Sequence, residues 1–134
     1  MKTNLDSMFK MNTDLEKDGV WFEFKEGISF KLKRFGGENA PALKESMAKH
    51  YKPYANLVAV DALPMRKEKE IMAKVFVDAC LVEWKGIIDT ERGEEIPYSF
   101  DNAVELLMEL PELADTLTKF ASETDSYRES LGNS

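Results

Sequence analysis

The run IMAKVFVDACLVEW, residues 71–84, is the stretch whose reading decides the fold. At roughly 100° per residue, Ile71, Met72, Val75, Phe76, Ala79, Cys80 and Val82 fall on one broad face, and Ala73, Val77 and Trp84 widen it. Glu70, Lys74 and Asp78 lie four apart and form a narrow wet edge along which neighbours can pair. The pattern predicts a buried central helix, opened by Pro64 and the charged turn MRKEKE. Glu83 is the misfit, because it falls on the apolar side. Either its carboxylate meets a cation such as Lys33 or Arg34, or the helix has frayed by Val82. The second reading is preferred. VEWKGII then becomes an extended segment that can add a third short strand to a sheet edge.

Upstream, the period changes to two in VWFEFKEGISFKLKRF, residues 20–35. A three-residue loop of Lys25, Glu26 and Gly27 pairs Phe24 with Ile28, Phe22 with Phe30 and Val20 with Leu32, making one face wholly apolar. The other face carries Trp21, Glu23, Ser29, Lys31 and Lys33, with Trp21 opposite Lys31 in a cation-π pairing. A lone hairpin is marginal in water, so the apolar face must be covered, and the central helix is the expected cover.

RFGGENAP, residues 34–41, ends the strand: Gly36 and Gly37 free the backbone, Asn39 reads as an N-cap and Pro41 suits a first helical turn. The glycines have no GK[ST] after them and follow a hairpin rather than a βαβ unit, so they read as a turn and not a phosphate cradle. A helix over 40–51 follows, with Leu43, Met47 and Tyr51 on its apolar stripe. Pro53 interrupts it before a second short helix over 54–62. Residues 1–18 mix Met8, Met11 and Leu15 with Asn and Thr, and they read as an arm, flexible or ordered on its own core or a partner.

Downstream, residues 89–97 are a polar surface loop, and Ser99 caps FDNAVELLMEL. Pro111 ends that helix and starts another, whose stripe of Leu113, Leu117, Phe120 and Ala121 extends toward Leu131. Residues 128–134 read as a mobile tail. The expected fold is α+β: an N-terminal antiparallel hairpin, with room for a third short strand, packed on a mainly helical single domain over 1–134.

Residues 1–85 hold 15 Lys/Arg against 13 Asp/Glu, whereas residues 86–134 hold 3 against 12. An acidic last third repels nucleic acid and anionic lipid, which need clustered cations, so neither is an expected partner. No run approaches the roughly 18 apolar residues of a membrane span, and MKTNLDSMFK lacks a signal-peptide core, so a protein that stays where it is made is expected. The lone Cys80, set among apolar residues, reads as a buried inert thiol. His50, the only histidine, has no carboxylate or Cys at ligand spacing and reads as a surface residue. Paired acids such as Glu94 with Glu95 or Glu68 with Glu70 lie in solvated runs. No catalytic group, cofactor or metal site is expected.

GVWFEF, RFGGENAP, MAKHYKPYA, IMAKVFVDACLVEWKGI, EIPYS, NAVELLMELPEL and YRESLGNS together resemble the small tail assembly chaperones of long-tailed, siphovirus-like bacteriophages and prophages. The resemblance runs over nearly the whole chain and implies a non-enzymatic role in the host bacterial cytoplasm: binding the tape measure protein, keeping it soluble and helping to recruit tail tube subunits. It implies a protein that is not retained in the mature virion, and in many relatives a frameshifted longer form that reaches the tail tube protein, with SLGNS as the expected junction. Copies along one extended partner need only weak self-association.

A tape measure helix exposes apolar stripes, so the partner surface is sought among apolar residues left over from the core. Leu106, Leu110 and Phe120 are the candidates, with Trp21 on the wet hairpin face as a second anchor. The competing reading makes the first three core residues and packs Trp21 under the arm. Two other functions stay open: an acidic decoy of DNA that inhibits a nucleic-acid-binding protein, using Glu105, Glu109, Glu112 and Asp115, and a small enzyme with an unrecognised site.

Overall fold

The structure, a computed structural model, describes residues 1–128. The expected mobile tail beyond Arg128, with Leu131 and the SLGNS junction, lies outside the described residues. The hairpin forms from β1 (Val20–Lys25) and β2 (Ile28–Leu32), and β3 (Leu81–Lys85) joins it in a three-stranded antiparallel sheet with β2 in the centre. Helices make up most of the rest, so the fold is α+β. They are α1 (Asp6–Phe9), α2 (Thr13–Asp18), α3 (Ala40–Tyr51), α4 (Ala55–Ala59), α5 (Met65–Ala79), α6 (Phe100–Glu109) and α7 (Pro111–Ser122).

The hairpin register follows the alternation, with Val20 opposite Leu32 and Phe22 opposite Phe30. Its tip differs. Lys25, not Phe24, faces Ile28. Phe24 bulges out of the ladder and is exposed, because Gly27 at φ +83° closes a tighter turn than three residues need. The cation over Trp21 is also different: Lys85 reaches across from β3 to put Nζ 4.1 Å from the ring centroid. Lys31 does lie opposite Trp21 in the ladder, as expected, and faces Glu83 of β3 on its other side.

The central helix α5 stops at Ala79, three residues earlier than the periodicity allows. The backbone of residues 81–85 gains a ladder partner in β2, which offsets the lost helical turn, and Trp84 turns inward to meet Phe30 edge-on at 6.5 Å. The indole N–H then donates to the Ile96 carbonyl at 2.8 Å, tying a small second hairpin, β4 (Ile88–Asp89) and β5 (Glu94–Glu95), onto the sheet. Glu83 alternates to the wet side and meets neither Lys33 nor Arg34.

The sheet's apolar face is not covered by α5 alone. Phe120 of α7 stacks on Phe22 at 4.3 Å, and Leu107, Leu117 and Ala121 share one core with Phe30, Leu32, Phe76 and Val77. Tyr127, fully buried, donates its hydroxyl to the Leu32 carbonyl at 2.9 Å. Ser99 caps α6 by accepting from the Asn102 N–H, as its position predicts.

Asn39 precedes α3 but does not cap it. Its buried amide donates 2.9 Å bonds to the carbonyls of Arg34 and Ala79, joining the hairpin's exit to the end of α5. The buried stripe of α3 is rotated from the expected one as well. Ser46 is buried, and its hydroxyl donates to the Asp78 carboxylate at 3.0 Å, whereas Met47 is exposed. Residues 1–18 form α1 and α2 with a break at Lys10–Asn12, and the Glu16 side chain lies against the glycine turn at Gly37.

Candidate partner-binding groove

The four apolar residues singled out in sequence do not gather into one surface. Phe120 lies between Phe22 and Tyr127, and both it and Leu106 are partly buried and pack against the core. Trp21, 37 % exposed, lies on the opposite sheet face under Lys85. Leu110 sits at the α6–α7 corner and is 47 % exposed.

The concave apolar surface is elsewhere, in the seam between α5 and the α6–α7 pair. It is an open groove of about 470 Å³ with Phe35, Ala73, Phe76, Leu107 and Ala114 as its floor. Met65, Met72, Met108 and Pro111 form its lips, and Met65 is 73 % exposed. The seam exists because α6 packs along α5 and then turns at Pro111 into α7, while Met65, Arg66, Glu68 and Lys69 in the first turns of α5 stay exposed. Met72 belongs to the stripe read as fully buried, yet its side chain borders the groove. Methionine is unbranched and adaptable, which suits a surface that must accept more than one apolar shape. The sequence carries seven methionines, and that richness was the available signal.

The two walls differ in charge. Of the acids on α6 and α7, Asp115 lines the groove, whereas Asp101, Glu105 and Glu109 line an adjoining cleft with Arg66, Glu70 and Lys74; none of the four lies within ion-pair distance of a described cation. On the α5 wall, Glu70 is held between Lys67 at 2.9 Å and Lys74 at 3.3 Å, and these bonds keep its carboxyl below the usual range. Glu68, Lys69 and Arg66 complete that wall.

His50 has a partner that its neighbours in sequence do not reveal. Its Nε2 lies 3.2 Å from Asp78 Oδ2, the same oxygen that accepts from Ser46, and its ring stacks on Phe100. The cluster cross-links α3, α5 and α6. Cys80 is buried at the α5–β3 junction, where desolvation pushes its thiol up to about 12. Among the described residues no group of three His, Cys, Asp or Glu side chains is arranged to hold a metal ion, and no helix is long and apolar enough to cross a membrane.

The groove's helices and β3 fall within residues 38–132, the part of the chain matched by the family model for the YdaY prophage protein, and Phe35 of its floor lies just before the match. The arm and the whole hairpin precede the match. No curated protein and no solved structure matches the chain. A match over well more than half of the sequence is decisive for kinship, and the chain belongs to the YdaY prophage protein family.

Proposed function

We propose that this prophage protein is a non-enzymatic tail assembly chaperone that binds the tape measure protein, keeps it soluble and helps to recruit tail tube subunits before being displaced. The observation that carries the reading is the methionine-lipped groove between α5 and α6–α7. A long helical partner presents apolar stripes that aggregate when bare, and a groove with adaptable lips and a charged rim covers such a stripe reversibly. In this reading the protein works in the host bacterial cytoplasm and leaves before the virion matures. A frameshifted longer form carries the contact to the tail tube protein, and copies associate weakly along the tape measure protein. Trp21 and Leu110, both partly exposed, serve as secondary contacts, while Leu106 and Phe120 support the fold beneath.

The family match to a prophage protein supports the phage setting. A decoy of DNA is less well supported, because Arg66 and Lys69 face the acidic row across the seam and break the run of negative charge. Co-expression with the tape measure protein of the same prophage tests the proposal. A partner insoluble alone and soluble in a co-purifying complex is the expected result. Unchanged solubility with no co-purification, for both the short chain and a frameshifted product, sinks it.

A further inference from the structure

Of the described residues of the arm, 1–18, only Glu16 is buried. An arm held by the hydrophobic effect would bury its apolar side chains, yet Leu5, Met8 and Phe9 stay 53–64 % exposed. The group that goes inside is a carboxylate. Its Oε2 accepts from Arg34 Nη1 at 2.8 Å and from the Glu38 N–H at 3.1 Å. Between these donors a side chain is missing: a Cβ on Gly37 would collide with that same oxygen, so the carboxylate fills the space that glycine leaves. Arg34 is 17 % exposed, and its Nε is buried without a hydrogen-bond partner among the described residues. Taking the carboxylate away therefore leaves a largely buried cation and a backbone donor facing an empty gap, which a second carboxylate can fill with the same charge-assisted bonds.

We infer that Arg34, Gly37 and the Glu38 N–H form a carboxylate-binding cradle, and that the arm is a strap whose Glu16 is the cradle's tethered ligand. The rest of the strap's hold is backbone. The Asn12 N–H donates to the Tyr127 carbonyl at 2.9 Å, Met11 forms a bridge with Arg128, and the single residue Gly19 joins α2 to β1. The cradle thus anchors one end of a clasp whose other end lies on Tyr127 and Arg128 after α7. Emptying it frees both contacts without disturbing an apolar core residue.

The test uses the full chain and formate as the untethered ligand. Glu16→Ala should lower the urea midpoint, and sodium formate should restore about half of that loss or more in a saturable way. Sodium chloride at the same ionic strength should not. In Glu16→Ala/Gly37→Ala a methyl occupies the gap, and in Glu16→Ala/Arg34→Gln the cation is gone. Neither should respond to formate beyond its response to chloride, and circular dichroism on both guards against a variant that fails to fold. Tryptic cleavage at Lys10 should rise several-fold in Glu16→Ala and stay raised in formate, because a free carboxylate fills the cradle without holding the strap. Equal action of formate and chloride, or a formate response that survives in both double variants, overturns the cradle. Arm cleavage no faster than in the wild-type chain, or slowed back to it by formate, overturns the strap.

Discussion

The Glu16 carboxylate accepts from Arg34 Nη1 at 2.8 Å, with the Glu16 side chain only 2 % exposed. The same oxygen accepts from the Glu38 N–H, and the Arg34 N–H donates back to the Glu16 carbonyl. The arm is thereby fastened to the hairpin's exit. Removing one member of a buried pair leaves the other charge uncompensated, so Glu16→Ala is expected to cost about 3 kcal/mol. Glu16→Gln keeps an acceptor for Glu38 and should cost less. Urea unfolding of both variants checks this, and equal, negligible losses would refute it.

Gly27 and Gly86 have nearly the same backbone, at φ +83° and +81°, but different surroundings. A methyl on Gly27 meets nothing, so Gly27→Ala should cost only the left-handed strain of about 1 kcal/mol. A methyl on Gly86 would run into the Gly27 carbonyl, which is backbone and cannot swing aside. Gly86→Ala should add an overpacking cost of about 1–3 kcal/mol. Matching thermal denaturation midpoints for the two variants would contradict the geometry.

Phe120 and Leu110 should part company when each is made polar or small. Phe120 stacks on Phe22 and touches Tyr127 while partly buried, so Phe120→Ala is expected to lose about 2–3 kcal/mol, somewhat less than a fully buried Phe. Leu110→Asn, at an exposed helix corner, should change stability by less than about 0.5 kcal/mol. A destabilised L110N would show that the corner is packed after all.

Burial raises the Cys80 thiol from its ordinary 9.0 up to about 12, and desolvation raises the Tyr127 phenol as well. Both groups hold their protons longer folded than unfolded. Their contribution is therefore complete below the unfolded values and is lost as pH climbs from about 9 toward the folded ones. Urea midpoints taken from neutral to strongly alkaline pH should fall across that window, and Cys80→Ala should flatten the fall. A level midpoint for the wild-type chain would count against the buried thiol.

Period and spacing carried much of this fold. Alternation set the faces and register of β1 and β2, the misfit of Glu83 foretold that residues from Val82 onward leave the helix, and Ser99 and Pro111 marked where α6 and α7 begin. These are local signals, because a side chain's direction along a helix or strand follows from its neighbours in the chain. Even so, the pairing energy of β3 moved the end of α5 to Ala79, which helical periodicity alone cannot register.

Partners distant in the chain were decided only in three dimensions. Glu16 with Arg34, Asn39 with Ala79 and His50 with Asp78 lie 18, 40 and 28 residues apart, and nothing in their spacing announces them. The groove belongs to the same class. Sequence determined that α5 would have an apolar stripe, but which part of that stripe stays bare depends on where α6 and α7 dock. That docking is set by the turn at Pro111 and by Phe120 reaching Phe22 on the sheet, so Met65 and Met72 became a surface and Phe120 a residue packed against the core for reasons of packing rather than pattern.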